Sequence, residues 1–78
     1  MKINTCPFKV GHRYLADDGH KYKCRRVKEL ENYWVIVFSN IWIKDTATYP
    51  KDMPYFQEYV DFPSGWGGTI KIYIGEED

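Results

Sequence analysis

The sequence predicts a mainly β domain: a small antiparallel sheet of four to five strands, curled or closed on itself, with room for one short helix near residues 53–60. Three observations lead there. Thr69 to Ile74 alternates, with Ile70, Ile72 and Ile74 on one side and Thr69, Lys71 and Tyr73 on the other, the period of two that marks a half-buried strand. Tyr33 to Phe38, "YWVIVF", joins β-branched and aromatic residues without helical spacing. Between two alternating segments stands Asp17-Asp18-Gly19, a three-residue hairpin loop in which the glycine supplies the left-handed conformation.

Taken in order, the first element is that hairpin. A three-residue loop pairs Ala16 with His20, Tyr14 with Tyr22 and His12 with Cys24. These six side chains then share one face, and Arg13, Lys21, Lys23 and Arg25 take the other. A two-residue Asp-Gly turn would slip the register by one and scramble the faces. After Cys24 the alternation fails, since Arg26 falls where an inward residue is due and Val27 follows it; a bulge near Arg25-Arg26 restores the phase. Leu30-Glu31-Asn32 is a tight connection into "YWVIVF", expected to be buried on both faces, Val35 at its centre. Ser39-Asn40 interrupts that run, and "IWIK" either continues it or starts another strand. Asp45 to Pro54 reads as a loop with two prolines.

"PYFQEYVDF" is ambiguous. Asp52 as N-cap with Pro54 just inside starts a short helix; alternatively Phe56, Val60 and Phe62 line one side of a strand. The helix or turn is the favoured expectation. "PSGWGG" is a turn, and Thr69 to Ile74 closes the sheet, with Ile70 expected in the core. Short strands with turn punctuation imply an SH3-like barrel, one compact domain over 1–78.

A chain of 78 residues has little material for a core, but 18% of it is aromatic, and each such ring buries about 150–250 Å². The longest apolar run is far short of the ~20 residues of a membrane helix, and residues 1–10 lack the apolar stretch of a secretory signal. The expectation is a cytoplasmic protein with no membrane partner and with reduced cysteines. Net charge is zero but unevenly spread: residues 1–28 hold eight Lys/Arg against two Asp/Glu, and residues 29–78 hold three against nine. Such a split points to a basic partner-binding face or an acidic one; the alternative is that chance sorts the charges a sheet carries on its wet side.

Cys6, His12, His20 and Cys24 together make a four-ligand set of the kind structural zinc uses. Their spacing lacks the C-x2-C knuckle, and His20 and Cys24 lie four residues apart along one strand, roughly 13 Å. At most Cys6, His12 and Cys24 can meet, so metal and cofactors are not expected, and a small structural zinc domain is the weakest alternative. Cys24 opposite His12 resembles a nucleophile beside a base, but nothing orients His12 and no oxyanion loop adjoins it. No catalytic residue is assigned, and the protein is read as no enzyme.

Two binding surfaces compete. Trp66, freed by Gly65, Gly67 and Gly68, has the make-up of a protein-binding anchor, with Tyr49, Tyr55 and Tyr59 adding an aromatic patch among Asp52, Glu58 and Asp61. Arg13, Lys21, Lys23, Arg25, Arg26 and Lys28 form a basic hairpin of the kind that tracks a phosphate backbone, where outward aromatics stack bases. The first reading, a binding module for a protein partner, is preferred; a nucleic-acid-binding barrel is the alternative. In size and in richness of Lys, Ile, Tyr and Asn the chain resembles small accessory proteins of bacteriophage genomes. That resemblance implies a viral inhibitor or modulator of a host factor.

Overall fold

A computed structural model describes residues 5–52, 57–63 and 68–77. Among these described residues six strands form one sheet: β1 (Arg13–Ala16), β2 (Lys21–Glu29), β3 (Tyr33–Ser39), β4 (Lys44–Pro50), β5 (Tyr59–Pro63) and β6 (Thr69–Glu77). Their order across the sheet is β4-β3-β2-β1-β6-β5, and every pairing is antiparallel. The terminal strands β4 and β5 come against each other, so the sheet curls into a nearly closed barrel. Curling lets one sheet enclose a core with its own inner face.

The first hairpin has the expected register. Tyr14 pairs with Tyr22, Ala16 N–H donates to the His20 carbonyl at 2.9 Å, and Cys24 N–H donates to the His12 carbonyl at 2.9 Å. Gly19 takes φ of +87°, the left-handed conformation that the three-residue loop requires. The bulge is also present: the β2–β3 register shifts between Cys24 and Arg26. Both arginines thereby face outward, and Val27 turns in against the core.

Three expectations need correction. The sheet has six strands rather than four to five, because Lys44–Pro50 is a strand and not a loop. Its alternation is carried by modest residues, with Ala47 and Tyr49 buried between exposed Thr46 and Thr48. Pro50 and Pro63 are tolerated because β4 and β5 are the two ends of the sheet order, where a missing N–H breaks no ladder. The short helix near 53–60 does not extend into the described part of that span. Residues 53–56 lie outside the described residues, 57–58 are not helical, and β5 begins at Tyr59. Finally, β3 is not buried on both faces. Trp34, Ile36 and Phe38 are core, whereas Val35 and Val37 are half-buried, since no second layer among the described residues covers the outside of this single curled sheet. Ile70 and Ile74 likewise pack only at the margin of the core, and Ile72 between them is fully enclosed.

The core is aromatic. Phe8 enters it from the segment before β1, meeting Tyr14 at 4.8 Å and Phe38 at 5.1 Å between ring centroids, both edge to face. Phe38 in turn meets Phe62 at 6.0 Å, and Phe62 meets Tyr22 at 5.3 Å. Such contacts add about 0.5–1.5 kcal/mol each beyond the area they bury. The buried phenols keep their hydroxyls satisfied: Tyr49 donates to the Gln57 carbonyl at 2.7 Å, and Tyr14 accepts the Lys9 N–H at 2.8 Å.

Candidate functional site

Two turns meet at one end of the barrel. The β1–β2 turn is held by Asp18, whose Oδ1 accepts the His20 N–H at 2.9 Å and whose Oδ2 accepts the Tyr22 hydroxyl proton at 2.6 Å. In the β3–β4 turn Asn40 has the corresponding role: its Oδ1 accepts the N–H groups of Trp42 at 2.9 Å and Ile43 at 2.7 Å. With the asparagine closing the turn inward, the next two side chains are pushed out. Ile41 is 84% exposed and Trp42 is 67% exposed. The His20 ring stands against Trp42 at 5.2 Å between centroids, inclined by 64°. The result is an aromatic wall standing on polar turns.

On one side of this wall lies a groove of about 400 Å³ lined by Trp42, Ile41 and the cations Arg13, Lys21, Lys23 and Arg25. These cations are the outward residues of β1 and β2. Arg13 sits directly opposite Lys23 in the register, a juxtaposition of like charges that is unfavourable taken by itself. On the other side is a pocket of about 630 Å³ walled by Trp42, His20, Ile43 and Ile70, with Tyr22, Asp18 and Asn40 contributing its polar groups. Burial, reinforced by the hydrogen bond to Asp18, pushes the Tyr22 phenol up to about 12.

The residues singled out from sequence are distributed as follows. Arg13, Lys21, Lys23 and Arg25 are brought together. Arg26 and Lys28 follow on the same strand beyond the bulge, beside Val35 and Val37. Trp66 and Tyr55 lie outside the described residues. Tyr49 is no surface residue: it is fully enclosed against Phe8 and Trp34, because the segment read as a loop is a strand that turns it inward. Tyr59 is half-buried, its ring edge against Tyr73 at 6.3 Å and Lys71 Nζ 4.8 Å from its centroid. The sequence reading missed Trp42 and Ile41, having placed "IWIK" in a strand; the Ser39-Asn40 break was the signal of a turn that exposes them.

The residues of the zinc alternative are placed as follows. Among the described residues no three His, Cys, Asp or Glu side chains converge as a metal site. His12 Nδ1 is buried without a hydrogen-bond partner, and Cys6 and Cys24 both belong to the core region. Burial, followed by the neighbouring Cys6, pushes the Cys24 thiol up to about 11. A ligand or nucleophile needs the thiolate, and this environment opposes it. Among the described residues no helix is long and apolar enough to cross a membrane.

Compared with known proteins, the chain matches no family model, no curated protein and no solved structure.

Proposed function

We propose that the protein is a non-catalytic binding module that holds single-stranded nucleic acid across the outer face of β1–β2 and the β3–β4 turn. One observation carries this reading: an indole 67% exposed stands at the rim of a groove whose sides are four cations. Nonspecific single-strand binders combine these two elements, a positive track for the phosphates and an aromatic platform for the bases. Requiring unstacked bases, the arrangement favours a single strand over a duplex. A small barrel of the SH3-like kind suits the task, because turns and outer strands present the ligand site while the core stays filled. The near-neutral sequence pI of about 6.7 averages this face with the acidic remainder of the chain.

The test is fluorescence anisotropy with a labelled oligothymidylate at several salt concentrations, with the matching duplex as comparison. Four phosphate contacts on a single strand give a log–log salt slope of about −3. Trp42→Ala is expected to cost about 1–3 kcal/mol of binding. A salt-independent or undetectable interaction would sink the proposal.

A second reading, the protein partner, is supported by the β5–β6 face, where Tyr73 is 38% exposed beside Tyr59 and Glu58 and Asp61 are exposed. An inhibitor or modulator of a host factor belongs to this reading. Its distinguishing result is a partner whose capture is lost in Tyr73→Ala and kept in Trp42→Ala.

A further inference from the structure

The pocket behind the Trp42–His20 wall is not needed to bind phosphates. It shares Trp42, His20 and Asn40 with the basic groove, so a strand lying on the cations has its bases at the wall and next to the pocket mouth. The pocket's walls are flat or apolar, as a heterocycle requires, and its polar groups are fixed. Asn40 is held by two backbone N–H groups, and Tyr22 donates to Asp18. Asp18 is therefore oriented before any ligand arrives.

An ionised carboxylate offers about four acceptor positions. The His20 N–H occupies one on Oδ1, and the Tyr22 hydroxyl occupies one on Oδ2. By this count each oxygen keeps a further acceptor position, so the carboxylate has capacity for two adjacent donors. Among the nucleobases only guanine presents two adjacent N–H donors on its Watson–Crick edge, the ring N1–H and the 2-amino group. Adenine and cytosine set a lone pair beside their amino group, and uracil and thymine flank a single N–H with carbonyls. A lone pair aimed at a carboxylate oxygen is repelled.

Resting on the single-strand reading above, we infer that this pocket takes one base of the bound strand and selects guanine, with Asp18 as the specificity-determining residue. Trp42 supplies the stacking wall, and Tyr22 and His20 hold the carboxylate in place.

The experiment measures binding of four labelled ten-nucleotide oligothymidylates that carry a single central guanine, adenine, cytosine or hypoxanthine. The expected result is a preference for guanine of about tenfold over adenine and cytosine, with hypoxanthine, which lacks the 2-amino group, in between. Asp18→Asn replaces one acceptor by a donor and is expected to abolish the preference for guanine over adenine and cytosine. Equal binding of the four strands by the unaltered protein overturns this inference and leaves the single-strand reading standing. No binding to any strand overturns both. A guanine preference that survives in folded Asp18→Asn removes Asp18 from its role. Should that variant fail to fold, the hypoxanthine strand on the unaltered protein decides, and equality with guanine overturns the inference.

Discussion

The β1–β2 face and the β5–β6 face are both antiparallel pairs with one side in the core and one in solvent, yet they treat charge in opposite ways. On β5–β6 the register sets Asp61 across from Lys71 and Tyr59 across from Tyr73, and the Lys71 ammonium also lies over the Tyr59 ring. Opposite charges and aromatic pairs directly across a ladder are the favourable combinations. On β1–β2 the register sets Arg13 across from Lys23, with Lys21 and Arg25 in line on the same strand. The first face sets unlike or aromatic groups across from one another. The second gathers four cations along one groove. Over a single shared core, one exposed face mixes its groups and the other collects charge of one sign, and the proposed binding face is the second.

Breaking that shared core has the largest expected effect. Phe62 of β5 touches Phe38 and Tyr22, so it joins the two halves. Phe62→Ala is expected to cost about 3–5 kcal/mol, most of the stability of a small domain, and thermal unfolding will show both faces lost together. Persistence of a sharp transition near the wild-type temperature would mean that the halves are held independently.

Next in size is the charge reversal of the basic face. Lys23→Glu combined with Arg25→Glu is expected to weaken oligonucleotide binding at least 100-fold. The substitution at Lys23 brings a carboxylate opposite Arg13, and cross-strand pairs of opposite charge stabilise by about 0.2–1 kcal/mol. Melting temperature is therefore expected to hold or rise while binding disappears. Loss of both together would deny that charge here serves recognition.

The two faces also differ beneath the surface. Tyr22 and Cys24 alternate with the cations of β2 and point inward, and their groups are pushed up to about 12 and about 11 respectively. Both are neutral when protonated, and both hold their protons more tightly folded than unfolded. Their contribution is therefore complete below the unfolded values near 9 and 10, and is lost as pH rises through about 11 and about 12. Thermal melts at pH 7 and 8 are expected to coincide, with a decline by pH 11. Cys24→Ala should flatten the earlier part of that decline. The smallest effect belongs to the β5–β6 face: Lys71→Ala removes one cation–π contact and the cation across from Asp61, worth about 1 kcal/mol or less, with oligonucleotide binding unchanged.

Local chemistry explains which parts of this arrangement were legible in the sequence. The first hairpin was readable in detail, register and bulge included, because Gly19 fixes the turn and the Tyr14–Tyr22 alternation fixes the faces. β6 was readable because three isoleucines mark its inner side. β4 was not: Ala47 and Tyr49 are a faint apolar signal beside two threonines and a terminal proline, and their burial is decided by pairing with β3. Phe8 was invisible as a core residue, since it belongs to no strand and its place is set by the rings around it. For the site, the four cations followed from outward phase alone. Trp42 did not, because one asparagine side chain bonding two backbone N–H groups converts an apparent strand into an exposed turn.

The order β4-β3-β2-β1-β6-β5 also has a kinetic meaning. Strands β1 to β4 form a meander of neighbours in sequence, and β5 with β6 forms a second local unit. Joining them brings Lys71 to Asp17, 54 residues away, where two backbone-anchored hydrogen bonds of 2.9 and 3.1 Å fasten the seam. Loop-closure entropy makes this docking the step expected to be slowest, a barrier set by connectivity more than by any single strand's propensity. Substitutions along the seam act on the rate at which the barrel opens, whereas those within the meander act on how quickly its first half assembles.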